Sequence, residues 1–72
     1  MSPQRLAVLS YLAMRPNKLH QHRFGNRRTW WSLVRTGHAE WEAILWPGPG
    51  RFVRCDGFRI TCKGLTYLKE QS

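Results

Sequence analysis

Two prolines and two glycines fall in four consecutive residues, Pro47-Gly48-Pro49-Gly50, and no helix runs through them. Each proline lacks a backbone donor and its ring collides with the preceding helical turn. The chain therefore has to be read as two stretches, one complete before this block and one starting afresh after it. With only 72 residues in total, both must contribute to one small domain spanning 1–72. A domain this short buries only about 60% of the surface that its unfolded chain exposes, so its stability is marginal.

The first stretch opens with a helix. Ser2 is placed to cap it, Pro3 suits its first turn, and Leu6, Val8, Leu9, Leu12 and Ala13 recur at helical spacing. It should stop near Arg15, because Pro16 disfavours helical geometry in the residue before it. Residues 16–27 read as a connection rich in turn formers and charge, anchored to the core by Leu19 and Phe24, with room for a short helical turn. A second helix is expected from about Arg27 to Arg35, with Trp30, Leu33 and Val34 on its inner face and Gly37 ending it. A third should follow at once, from about His38 to Trp46. Its inner face would be Trp41, Ile44 and Leu45, and its outer face Ala39, Ala43 and Trp46, flanked by Glu42.

The second stretch opens with the clearest local signal. Residues 52–55, then Asp56-Gly57, then 58–61 read as a hairpin with a two-residue turn. In that register Val53 faces Ile60 and Cys55 faces Phe58 on the apolar side, while Arg54 and Arg59 are cross-strand neighbours on the other. A short helix capped by Thr61, with Leu65 and Leu68 inward, closes the chain.

Two short helices joined tightly at Thr36-Gly37, a two-stranded wing, and a closing Phe58-Arg59-Ile60-Thr61-x-x-Gly64-x-x-Tyr67-Leu68 resemble a winged helix-turn-helix domain over residues 28–70. Many bacterial and phage members of that superfamily end in a strand running into T-x-x-G-x-x-x-L. The resemblance implies an α+β, mostly helical fold of three helices, a hairpin wing and a short C-terminal helix. It also implies a DNA-binding, transcriptional or phage-type regulatory role.

Charge points the same way. Twelve Lys+Arg against four Asp+Glu leave a formal charge of +8, and arginine supplies nine of the twelve cations. Arginine's planar fork suits bidentate contact with phosphate. On the second helix Arg28, Ser32 and Arg35 lie opposite the core stripe, with Arg27 and Trp31 toward its flanks. Double-stranded DNA is accordingly the expected partner, held mainly through its phosphates by Arg27, Arg28, Arg35, Arg54 and Arg59. Trp31, Ser32 and His38 would be additional contacts.

The expected third helix argues differently. Its outer face offers no long donor for base readout in the major groove. Two alanines and a tryptophan there suit a protein contact instead. The alternative is thus an adaptor or inhibitor of a host enzyme, docking on a protein or a second copy through Trp31, Ala39, Ala43 and Trp46.

Other function classes find little footing. No nucleophile elbow or glycine-rich phosphate loop is present, and Glu40 and Glu42 point different ways on a helix, so no enzyme is expected. His20-x-His22 and Cys55-x6-Cys62 lack the paired spacing of structural zinc, so neither a metal nor a cofactor is expected. With Cys55 beside the turn, the cysteine Cα atoms would sit about 13 Å apart at about 3.3 Å per residue, too far for a disulfide. Cys55 then reads as a small core residue, and His20 and His22 as solvated loop residues. No apolar run is long enough to span a membrane. Met1-Ser2-Pro3-Gln4-Arg5 leads into an amphipathic pattern and not a secretory signal, so the cytoplasm is the expected location.

Overall fold

The computed structural model describes residues 1–71 and orders them as α1 (Pro3–Ala13), α2 (Arg27–Thr36), β1 (Ala39–Gly48), β2 (Arg51–Ile60) and α3 (Cys62–Gln71). The architecture is α+β, three helices with one antiparallel two-stranded hairpin. Local chemistry accounts for both long-expected helices. The Ser2 hydroxyl accepts from the Arg5 amide at 3.3 Å, and Pro3 opens α1. The Asn26 side chain accepts from the Arg28 amide at 2.9 Å, and Gly37, in the left-handed region, ends α2. Thr61 caps α3, its hydroxyl accepting from the Gly64 amide at 3.2 Å and donating to the Gly37 carbonyl at 2.6 Å.

The expected third helix is not there. Residues 39–48 form β1, paired in unbroken register with β2 from Ala39 opposite Ile60 to Gly48 opposite Arg51. Alanine, glutamate and an i, i+3, i+4 apolar set favour helix locally, but a ten-residue ladder overrides so weak a preference. The strand signal was the alternation of Glu40, Trp41 and Glu42, whose acids meet Arg59 across the ladder. The turn moves accordingly, from Asp56-Gly57 to Pro49-Gly50. The short hairpin's register dissolves with it. Val53 faces Trp46, Cys55 faces Ile44, and Cys55 is exposed and not in the core.

Asp56-Gly57 lies mid-strand for a different reason. His20 forms an isolated bridge to Phe58, exchanging amide–carbonyl hydrogen bonds of 2.7 Å in both directions. This third strand segment passes so close that a Cβ on Gly57 would sit 2.7 Å from the His20 carbonyl oxygen. His20 is therefore buried, its Nε2 donating to the Arg15 carbonyl at 3.2 Å and its ring edge-on to Tyr11. The connection after α1 holds this bridge in place of a helical turn.

The core comprises Val8, Leu9 and Leu12 of α1, Trp30 and Leu33 of α2, and Ala39, Phe58 and Ile60 from the base of the hairpin. Leu68 and Tyr67 of α3 pack against it, whereas Leu65, expected inside, is exposed. Only the base of the hairpin is covered. Its outer half projects into solvent, and the molecule is 46 Å long but only 22 by 19 Å across.

α3 is fitted against this core at Gly64, where a Cβ would lie 2.2 Å from the His38 carbonyl oxygen and 2.7 Å from Cγ1 of Ile60. The backbone contact cannot move without separating α3 from the α2–β1 junction. Gly64→Ala should cost about 1–3 kcal/mol as overpacking. That lowers the melting temperature by at least about 4 °C in a domain this size. Thermal unfolding followed by circular dichroism checks this.

Candidate functional site

The outward face of α2 is set by what its inward face buries. Trp30 and Leu33 are fully enclosed, which turns Arg28, Trp31, Ser32 and Arg35 outward at i, i+3, i+4, i+7. These four line one shallow depression. Arg28 and Ser32 also belong to a neighbouring one, shared with Ser2, Gln4, Arg5, Asn26 and Thr29. The N-termini of α1 and α2 thus open onto the same surface, with Arg5 and Arg28 beside them. Arg27 and Trp31 border a third depression with His22, Trp41 and Asp56 at the base of the hairpin.

The electrostatics of this surface are one-sided. No acidic residue stands in the first turn of α1 or α2. Arg27 and Arg28 sit at the positive end of the α2 macrodipole, which costs the helix about 0.3–1 kcal/mol each. The same placement favours an anion there through the macrodipole, the Arg28 and Thr29 amides themselves being held by Asn26. Ser32 contributes less than its position suggests, because its hydroxyl already donates to the Thr29 carbonyl at 2.6 Å.

The hairpin sorts its charges by face. Side chains alternate along a strand, so Glu40, Glu42 and Arg59 share one face, and Trp41, Arg54 and Asp56 the other. Arg59 Nε donates to Glu40 at 2.9 Å, and its Nη2 is paired with both Glu40 and Glu42. The hydrogen bond to Glu40 and the charge of Glu42 raise its pKa further above the ordinary arginine value. Arg54 and Arg59 are accordingly not cross-strand neighbours but five residues apart on β2, facing opposite ways. Arg59 is spent on two carboxylates. Arg54 is 3.1 Å from Asp56 in an exposed pair and lies over the Trp41 ring, 6.0 Å from its centroid. Exposed pairs of this kind are worth about 0–1 kcal/mol and exchange readily for another anion.

Trp31 joins the two elements. Its ring lies 5.9 Å from Trp41 and 5.0 Å, edge-on, from Phe58. A continuous strip therefore runs from Arg5 and Arg28 through Trp31 and Trp41 to Arg54. Arg5 and Trp41 were not among the sequence-derived candidates, because the approach of α1 to α2 and of α2 to the hairpin is purely tertiary. The residues expected at a protein contact, in turn, are scattered. Ala39 is buried, and Ala43 and Trp46 lie on opposite faces of the ribbon.

Among the described residues no cluster of three or more His, Cys, Asp or Glu side chains could hold a metal ion. Nor is any helix among the described residues long and apolar enough to cross a membrane. Comparison with family models, curated proteins and solved structures gave no match.

His38, expected among the DNA contacts, sits instead at the α2–β1 junction. Its ring is edge-on to Tyr67 at 5.3 Å, and its Nδ1 is 2.7 Å from the Thr36 hydroxyl. Desolvation first, then the charge of Lys63, lowers its pKa from 6.5. Folding thus favours the neutral ring. The stability this gives is present above pH 6.5 and is lost as pH falls through the lower folded value. Urea midpoints should therefore fall more between pH 7 and pH 5 for the native chain than for His38→Gln.

Proposed function

We propose that this protein binds double-stranded DNA through the strip formed by α2 and the adjoining face of the hairpin, in the manner of a reduced winged helix. One observation carries the reading. The outward face of α2 presents Arg28 and Arg35 with no carboxylate, while three of the chain's four acids are tied to Arg54 and Arg59 on the hairpin. With the expected third helix replaced by β1, the helix immediately before the wing is α2 itself. The objection that the groove-facing helix lacks long donors then falls away, since Arg28 and Arg35 are donors suited to phosphate and guanine alike.

In this arrangement α2 lies in the major groove, and Arg5 and Arg27 reach phosphates beside its N-terminus. Arg54 leaves Asp56 for a phosphate alongside the hairpin, and Trp31 packs on sugar or base between the two elements. Attraction is dominated by charge: on a random sequence Arg28 and Arg35 hold phosphates, and at a preferred site they turn to guanine edges and supply sequence preference. A role as a transcriptional or phage-type regulator is consistent with such a module. The adaptor reading draws less support, because its residue set does not form one surface.

Fluorescence anisotropy with a random-sequence duplex tests this. Five phosphate contacts from Arg5, Arg27, Arg28, Arg35 and Arg54 correspond to a log–log salt slope of about −4.5, at about 0.9 per contact. Arg28→Ala with Arg35→Ala should weaken binding and reduce that slope by about 1.8. Arg59→Ala should leave the slope unchanged. Absence of binding at low salt would refute the reading.

A further inference from the structure

The outer half of the hairpin has an unusual surface for a structure so exposed. From the Ala43–Asp56 pair to the Gly48–Arg51 pair the ribbon extends about 17 Å beyond the covered base, at about 3.4 Å per residue. Along it Leu45 is 64% exposed, Trp46 57%, Phe52 72% and Val53 52%. Leu45, Pro47 and Phe52 share one face, and Trp46 and Val53 the other. Both faces of the ribbon are thus apolar and bare.

We propose that this tip is an apolar wedge which enters the base stack of bound DNA and bends the duplex, with Phe52 and Leu45 as the inserting side chains. The inference rests on the DNA-binding reading above and adds a deformation to it. Charge supports this occupant. No carboxylate occurs from Ala43 to Cys55, whereas Arg51 and Arg54 flank Phe52 on either side. The tip also continues the cationic strip, since Arg54 and Phe52 follow Trp41 along the same face of the hairpin. A protein held on the backbone by α2 therefore brings Phe52 to the duplex without a further approach step. Side chains such as Phe, Leu and Pro inserted between base steps unstack them and kink the helix by about 20–90°. The narrow end of a two-stranded ribbon carrying those three types, with arginine at its base to hold phosphates, is built for that insertion.

Energy transfer between dyes at the two ends of a 30-base-pair duplex measures the bend, and anisotropy on the same samples measures affinity. The native chain should raise the transfer efficiency on saturation. Leu45→Ser with Phe52→Ser should return it to the value of free duplex while affinity falls less than about tenfold, because the phosphate contacts remain. An unchanged thermal melt shows that this variant is folded, and Phe52→Leu should retain bending. Binding without bending by the native chain would overturn the wedge but leave the DNA-binding reading standing. No binding at all would overturn both. Recruitment to vesicles of phosphatidylcholine and phosphatidylglycerol that the double variant abolishes, with DNA left straight, would assign the tip to a membrane surface and overturn the proposal.

Discussion

The indole of Trp30 holds the parts of this molecule in one arrangement. It is fully buried, and its ring meets Tyr11 of α1, His22 and Phe24 of the connection, and Phe58 of β2 at centroid distances of 5.3–6.1 Å. Its N–H donates to the Phe24 carbonyl at 2.9 Å, so enclosing it leaves no polar group unsatisfied. One side chain thereby fixes the rotation of α2, ties down a connection that has no regular element, and seats the hairpin. The outward arginine face of α2 is a consequence. With Trp30 and Leu33 pointing in, residues 28, 31, 32 and 35 point out.

The second organising feature is the partition of charge on β2. Arg54 and Arg59 look equivalent as cations, yet the ladder turns them to opposite faces. Arg59 is consumed by Glu40 and Glu42, which leaves that side of the hairpin's base with one carboxylate in excess. The other side keeps a loosely paired Arg54 next to Trp41 and Trp31. A chain with a net charge of +8 is attractive to polyanions in any fold. This partition leaves Arg54, on the face of the hairpin that carries Trp41, less fully paired than Arg59.

The hairpin itself is poorly supported by the body. Its base is locked by the His20 bridge, by the close passage at Gly57 and by Phe58 and Ile60 in the core, but its outer half relies on its own ladder. Isolated two-stranded ribbons are marginal in water. The outer half therefore depends on the anchored base for its order, and its Leu45, Trp46, Phe52 and Val53 side chains stay more than half exposed.

Helices α1 and α2 and the closing α3 were legible because their signals are local: Ser2, Pro3 and Thr61 at their starts, Gly37 at a stop, and apolar residues at helical spacing. The identity of the cationic face of α2 was legible for the same reason. Residues 38–46 were not, since helix-favouring alanine and glutamate occupy a segment whose pairing partner lies up to twenty-one residues away. Asp56-Gly57 misled because a turn dipeptide and a close-packed strand glycine look alike in one dimension. The sequence alone determined the helical segments, the break at 47–50 and the excess of arginine, all of which depend on near neighbours or on simple totals. Tertiary structure decided which arginines are free, that the helix before the hairpin is α2, and that Arg5 and Trp41 lie beside it, because those depend on contacts between residues far apart in the chain.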